Sequence, residues 1–296
     1  MKARIEARRN FLKNALTVPL LTLIPGRLRA GGTGPGGGGG ENGGRCAEET
    51  RPGEIVDALK RNSLAFVPVS PMLEWHSLHL PMGTDALVCE ALCSTLARKH
   101  GGIWFRPLAF GLDSFRTAEQ KKMWGIPEDE TVFGMDAPHY PVKSEYCHPP
   151  EMKAAVTNRV EMLKRTGVRR VFLMNHHGGA GQFDLVNELA QSLTDAKTAV
   201  HGLATYQFND LTEADGWTGI GGHAGVAETL WVMAFRPELV DLTRLPEGPL
   251  GVYAYGILNE KPMIEARWNP RSADPKVAVK LRTRVLENFD RYFAAL

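Results

Sequence analysis

From Leu64 to the end of the chain, apolar runs of strand length alternate with segments of helical period, and this alternation restricts the fold more than any other feature of the sequence. Leu64 to Val69, Ile103 to Pro107, Arg170 to Met174 and Val200 to Tyr206 read as strands. Thr84 to Lys99, Pro150 to Arg165, about Phe183 to Thr194, Val226 to Met233 and Pro275 to Phe293 carry helical spacing, with Val156, Val160 and Leu163 on one face of the second. Parallel neighbours in a sheet need a helical crossover. The order therefore predicts an α/β fold of three layers, αβα, with a mostly parallel central sheet covered on both faces. Asp113 to His148, rich in Pro, Gly, aromatics and charges, fits poorly and reads as a long excursion over one edge of the sheet, where binding loops are common.

With 296 residues, 23% charged and 43% hydrophobic, the chain suits a globular protein and excludes a disordered, collagenous or polytopic membrane one. Its net charge of +2 conceals an asymmetry: residues 1–30 hold seven Lys/Arg against Glu6 alone, and the remainder carries −4, which offers no footprint for nucleic acid. Within that basic start, Arg8-Arg9-Asn10-Phe11-Leu12-Lys13 resembles a twin-arginine export signal. The ten residues from Ala15 to Ile24 are too few to cross a hydrocarbon core about 30 Å thick, so no stable membrane span is expected. An amphipathic helix with a chance Arg pair is the alternative, and no A-x-A cleavage site follows. The signal reading implies that residues 1–30 are an address, that the export machinery is a partner, and that the protein is periplasmic and folds before transport. Such proteins often load a cofactor in the cytoplasm.

Ten of the fourteen residues from Gly31 to Gly44 are glycine, so 31–50 is expected to be a flexible linker and 51–296 the folded domain. Four cysteines make no disulfide scaffold at this length. Cys89 and Cys93, four apart on a helix, read as buried thiols. Cys and His spacing is too irregular for a zinc knuckle.

Three clusters carry chemistry. Glu74-Trp75-His76-Ser77-Leu78-His79-Leu80-Pro81-Met82-Gly83-Thr84-Asp85 puts two carboxylates and two imidazoles between a strand and a helix, where open α/β sheets bind ligands. Glu74 and His76, two apart in an extended segment, point the same way, and Asp85 can bridge two ions. Against this, Asp85 or Thr84 can cap the helix, and Glu74 can pair with a surface cation. Asn175-His176-His177-Gly178-Gly179-Ala180-Gly181 follows the strand Arg170 to Met174, bringing imidazoles to the same carboxyl edge on a turn that glycines make sharp. A phosphate cradle competes, but the spacing matches neither a Walker loop nor G-x-G-x-x-G. The third cluster, Gly221 to Thr229, sets His223 and Glu228 about the first turn of a helix. A lone histidine there is more often structural; its weight comes from completing the set.

In order and spacing the clusters resemble the creatininase family of metal-dependent amidohydrolases: E-x-H-x-x-H-L-P-x-G-T-D at Glu74 to Asp85, a variant N-x-H-G-G turn at Asn175 to Gly179, and H-A-G-x-x-E-T at His223 to Thr229. The resemblance spans about Leu64 to Arg236 and implies a creatininase-like fold, a small-molecule amide substrate and a homo-oligomer, commonly a hexameric ring. By position it implies Glu74, His76, Asp85 and His177 as metal ligands, Asp85 as the bridge between two divalent ions, and His223 as the histidine that moves protons during ring opening. The name-giving enzymes take a further ligand from a glutamate where this chain has Gly179. Glu228 is the candidate for the missing carboxylate, and the departure puts creatinine itself in doubt as substrate. Ala180, His176 and the position of Trp217 also depart from the pattern. Phe133 to Pro150 lacks the family's F-P-G-T turn and brings His139, Tyr140, Tyr146 and His148, which can line a different pocket; the alternative for His139 and His148 is a plain surface position, and for each of these two histidines singly the surface is favoured.

Two ions about 3.5 to 4 Å apart can hold a hydroxide at neutral pH and polarise a carbonyl. The expected arrangement completes one site with Glu74 and His177 and the other with His76 and Glu228, about a bridging Asp85, and suits zinc, manganese or iron. The expected function is hydrolysis of a C–N bond in a cyclic or linear amide. His223 would pass a proton to the departing nitrogen, and His79 would orient a ligand or close the loop. A lactone hydrolase on the same site, and a periplasmic binding protein that kept the fold without the chemistry, are the alternatives.

Overall fold

The computed structural model describes Gly44, residues 46–218 and residues 222–296. The export signal expected over 1–30 and most of the glycine-rich linker lie outside the described residues. Packing begins earlier than Arg51, because Trp104 needs a partner for its buried indole N–H and donates it to the Gly44 carbonyl at 2.7 Å. Cys46 forms an isolated parallel bridge to Trp104, and Ala47–Glu49 make one 3₁₀ turn before helix α1, Pro52–Arg61.

Four strands, β1 Leu64–Pro68, β2 Ile103–Trp104, β3 Arg170–Asn175 and β4 Ala199–Ala204, form one parallel sheet in the order β2-β1-β3-β4. The connections run through α2, Thr84–His100, α3, Ala118–Trp124, α4, Pro149–Arg165, and α5, Gln182–Leu193. After β4 come α6, Val226–Phe235, the single turn α7, Val252–Tyr255, and the closing α8, Pro275–Ala294. Alternation along the strands divides the core. Phe66, Phe172 and Met174 pack with Leu92, Leu96, Leu230, Leu281 and Phe289 from α2, α6 and α8. Ala65, Val67, Val171 and Leu173 face the other way, onto Val156, Val160, Leu163 and Val186 with α1 alongside. In register, Phe66 pairs with Phe172 and Val67 with Leu173, so both faces are continuous apolar surfaces. This is the three-layer αβα fold with helices on both faces, and Cys89 and Cys93 are buried free thiols within it. No helix among the described residues is long and apolar enough to cross a membrane.

Three features differ from the sequence reading. The ladder at β2 is only two residues long, and the run expected to continue β4 to Tyr206 turns into a 3₁₀ segment at Thr205–Phe208. α1, α3 and α7 were not expected; α3 is set by a local signal, Thr117 and Gln120 capping each other's backbone N–H, rather than by hydrophobic period. The excursion from Asp113 to His148 does not simply cover an edge. Its return segment lies on the loop after the inner strand β1: the Glu145 N–H donates to the Leu73 carbonyl at 2.7 Å, and the Trp75 N–H to Ser144 Oγ at 3.2 Å. An irregular loop has no ladder of its own to satisfy its backbone, and the excursion supplies the partners. Trp75 stacks on Tyr140 at 4.4 Å and anchors the same loop in a small apolar cluster with Trp124, Ile126 and Met135.

Phe172 is fully buried, stacked on Phe66 at 5.2 Å and edge-on to Phe293 at 5.0 Å. Phe172→Ala is expected to cost about 3–5 kcal/mol of unfolding free energy, measurable as a lowered urea midpoint with an unchanged slope.

Candidate metal centre

Three loops bring their charged residues together beyond the carboxyl ends of β1 and β3. The loop after β1 carries Glu74 and His76, the first turn of α2 carries Asp85, the turn after β3 carries His177, and the entry into α6 carries His223 and Glu228. Glu74, His76, Asp85 and His177 are 1%, 0%, 1% and 3% exposed, which excludes a surface pairing for Glu74. Asp85 does not cap its helix. No side chain caps at Gly83, and the carboxylate turns instead toward His177.

His177 Nδ1 stands 2.9 Å from Asp85 Oδ2 and 3.0 Å from Glu74 Oε2. His76 Nε2 stands 3.5 Å from Glu228 Oε2, 3.7 Å from Asp85 Oδ1 and 3.9 Å from Glu74 Oε2. Asp85 thus divides its two oxygens between the imidazoles. Two donor sets result, Glu74–Asp85–His177 and His76–Asp85–Glu228, each with its ligand atoms within 4.8 Å of one another. His223 Nδ1 lies 3.9 Å from Glu74 Oε1, its ring 4.2 Å from that of His76, and a third grouping joins Glu74, His76 and His223. The side chains of Glu228 and His223 are 20% and 11% exposed, so solvent reaches the centre from the α6 side.

Each of the three imidazoles is held the same way. His177 Nε2–H donates to the Leu112 carbonyl at 2.9 Å, His76 Nδ1–H to the Glu74 carbonyl at 2.9 Å, and His223 Nε2–H to the Trp75 carbonyl. With one nitrogen committed to main chain, the other is directed at the carboxylates, the arrangement that orients a metal-binding histidine. Ser77 and Ala224, immediately after His76 and His223, sit at φ 64° and 53°, a conformation non-glycine residues avoid. That strain falls at the two points where the chain must turn an imidazole inward.

Electrostatics fit a cation. Burial alone would raise the pKa of Glu74 and Asp85, yet both are lowered, Asp85 well below the usual range, by the adjacent imidazoles of His177 and His76. Burial disfavours charge on His76 too, but Asp85, Glu228 and Glu74 push it up to about 9, and His177 is raised well above its ordinary value by Glu74 and Asp85. Burial holds Glu228 up at about 8. Positive charge is therefore demanded at this point, and a divalent ion provides it without protons. Glu74 Oε2, His76 Nε2 and Asp85 Oδ1 are buried without a hydrogen-bond partner among the described residues. Mixed carboxylate and imidazole donors of this kind suit zinc or manganese.

A second layer supports the first; the sequence anticipated His79 in it, as the residue that closes the loop, but not Tyr146 or Gln182. Tyr146 Oη donates to Glu74 Oε1 at 2.7 Å. Gln182 Oε1 accepts the Leu112 N–H at 2.7 Å while its amide donates to Val69 and Asn175. Tyr146 stands 72 residues from Glu74, and nothing in its spacing marks it. His79 Nε2–H donates to Thr229 Oγ1 at 2.9 Å, closing the β1 loop onto α6. The turn after β3 closes on itself: Asn175 Oδ1 takes the His177 N–H at 3.1 Å, unlike a phosphate cradle, whose N–H groups face the ligand. His139 and His148 are exposed and outside the centre, and His176 is buried against Trp231 and Thr205.

A profile of the creatininase family, described as creatinine amidohydrolase, matches residues 131–279, half of the chain. Creatinine amidohydrolase of Pseudomonas putida is 26% identical over 194 residues, covering 60% of this chain and 66% of that enzyme, so the chain spans just under two thirds of its relative's length. A tryptophan-to-phenylalanine mutant of creatininase shares the fold with a TM-score of 0.62 at 20% identity, covering 83% of this chain and 96% of that one. A creatininase of Zn-Zn type superposes at 0.57, with 20% identity over 83% and 96% of the chains, and creatininase Mn at 0.51, with 21% over 84% and 95%. Sheet order, the clustered donors and the profile match agree: the chain belongs to the creatininase family.

Proposed function

We propose that the protein is a metal-dependent amidohydrolase that cleaves a C–N bond in a small cyclic or linear amide. The observation that carries this is the pair of buried donor sets sharing Asp85. Glu74 and His177 complete one site, His76 and Glu228 the other, for two divalent ions such as zinc, manganese or iron. Ions so held acidify water and polarise a carbonyl oxygen. The chain's own residues do the rest. Burial and the nearby His76 push the His223 pKa down to about 4, so at neutral pH the ring is neutral and Nδ1 is an acceptor. Its other nitrogen is tethered to Trp75, which keeps Nδ1 aimed at the centre, where it takes a proton and returns it to the departing nitrogen. His79, neutral because burial pushes its pKa to about 3, ties the β1 loop to α6 and holds the two halves of the centre at fixed separation.

Glu228 supplies the carboxylate that the name-giving enzymes draw from the position of Gly179. A Cβ at Gly179 would fall on His177 Nε2 and the Leu112 carbonyl, so no side chain fits while that hydrogen bond exists. Glu228 Oε2 is oriented by the Ala224 N–H at 2.6 Å and faces His76. The same reading takes residues 1–30 as an export address, the protein as periplasmic, and the working form as a homo-oligomer.

The test is turnover of purified protein against panels of cyclic amides, linear amides and lactones, with and without chelator. Amide cleavage abolished by chelator is the expected result; cleavage of lactones alone, or tight metal with no turnover, overturns the proposal. Asp85→Ala is expected to lose both ions and all turnover, whereas His223→Ala keeps both ions and loses about 10²–10⁴-fold in rate, as read by metal analysis and kcat. Gly179→Glu, which restores a carboxylate to its family position, is expected to lower metal content and thermal stability rather than raise either, because it breaks the His177–Leu112 bond.

A further inference from the structure

We propose that Tyr146 is the positioning residue for Glu74: its hydroxyl holds Oε1, leaving Oε2 for the cation that Glu74 shares with Asp85 and His177. This rests on the metal-centre reading above and adds a residue to it. The Tyr146 hydroxyl donates to Glu74 Oε1 at 2.7 Å and accepts the Met135 N–H at 3.0 Å, so its own orientation is fixed by main chain. Because the hydroxyl oxygen accepts from Met135, its own O–H is the group that reaches the carboxylate. Glu74 Oε2, on the other side of the carboxylate, has no hydrogen-bond partner and stands 3.0 Å from His177 Nδ1.

The ring is seated for this contact. Phe133 packs edge-on at 5.5 Å, and Gly134, at φ +56°, passes so close that a Cβ there would fall on the phenol ring. The backbone here is stitched to two other segments of chain, Tyr146 bridging Gly111 and the adjacent Glu145 bonding Leu73. The backbone of the excursion thus fixes the phenol, the phenol fixes one oxygen, and the remaining oxygen faces the other donors. A tie that served packing alone would not need the hydroxyl on a carboxylate whose second oxygen faces the His177 imidazole.

The experiment uses full-length protein stripped of metal and titrated with zinc against a chromophoric chelator, so that two binding steps are resolved, alongside thermal unfolding. Tyr146→Phe keeps the ring and removes only the hydroxyl; one step is expected to weaken about 10–100-fold while the other is unchanged. Gly134→Ala, which keeps the hydroxyl but displaces the ring, is expected to weaken the same step. If wild type takes up no zinc, the metal reading itself fails. If wild type binds two ions and both variants bind them equally well, including when their melting temperature falls, the Tyr146 proposal alone is overturned.

Discussion

Two fully buried carboxylates, Glu74 and Asp85, converge with a partly exposed third, Glu228, and the surrounding structure answers that charge. Removing a carboxylate from water costs several kcal/mol even after relaxation, so the cluster persists only with opposite charge beside it. His76 and His177 are that charge in the protein alone, which is why their pKa values rise against their own burial. The rigid αβα scaffold contributes what a loop alone lacks: two anchor points, the ends of β1 and β3 side by side in the sheet, from which the donors start in register.

The orienting groups are largely main-chain carbonyls. Leu112, Glu74 and Trp75 each receive an imidazole N–H, so the precision of the donor set is set by the backbone of the β1 loop and of the segment entering the excursion. This makes residues far from the chemistry matter. Trp75 is held by its stack on Tyr140 and by an indole bond to the Tyr255 carbonyl at 3.1 Å, and its own carbonyl then holds His223. An apolar contact is thereby converted into the aim of the His223 imidazole.

The inner part of the site was legible because it is local. Glu74, His76 and Asp85 fall within one loop and the helix turn that follows, and the strand before them places that loop at the ligand-binding edge. His177 and His223 were legible through strand-end position and family spacing. Tyr146, Gln182 and the Leu112 carbonyl were not, since they act through contacts between distant segments, and a carbonyl has no residue type to notice. The excursion from Asp113 to His148 was read as an irregular edge segment of the kind that carries binding loops, because its composition lacks period; its placement comes from hydrogen bonds to Leu73 and Trp75 that no local pattern encodes. The main strands and helices were readable from hydrophobic period, whereas α3 rests on a capping box and α1 on a short amphipathic turn.

On the proposed reading, in which Glu228 stands in for a carboxylate at position 179, the exchange changes more than a ligand's address. A glutamate on the turn after β3 would come from the same rigid element as His177, whereas Glu228 comes from the first turn of α6, partly exposed and held by the Ala224 N–H across a strained backbone. The room a side chain at Gly179 would need is occupied by the hydrogen bond from His177 to Leu112, which ties the segment entering the excursion to the centre at that point. The β3 side of the centre is tied to the excursion, and the α6 side, where Glu228 and His223 are partly exposed, is the side open to solvent. On the proposed function, substrate enters from there, and the residues that select it lie around α6 and the face of the excursion opposite it rather than on the glycine turn.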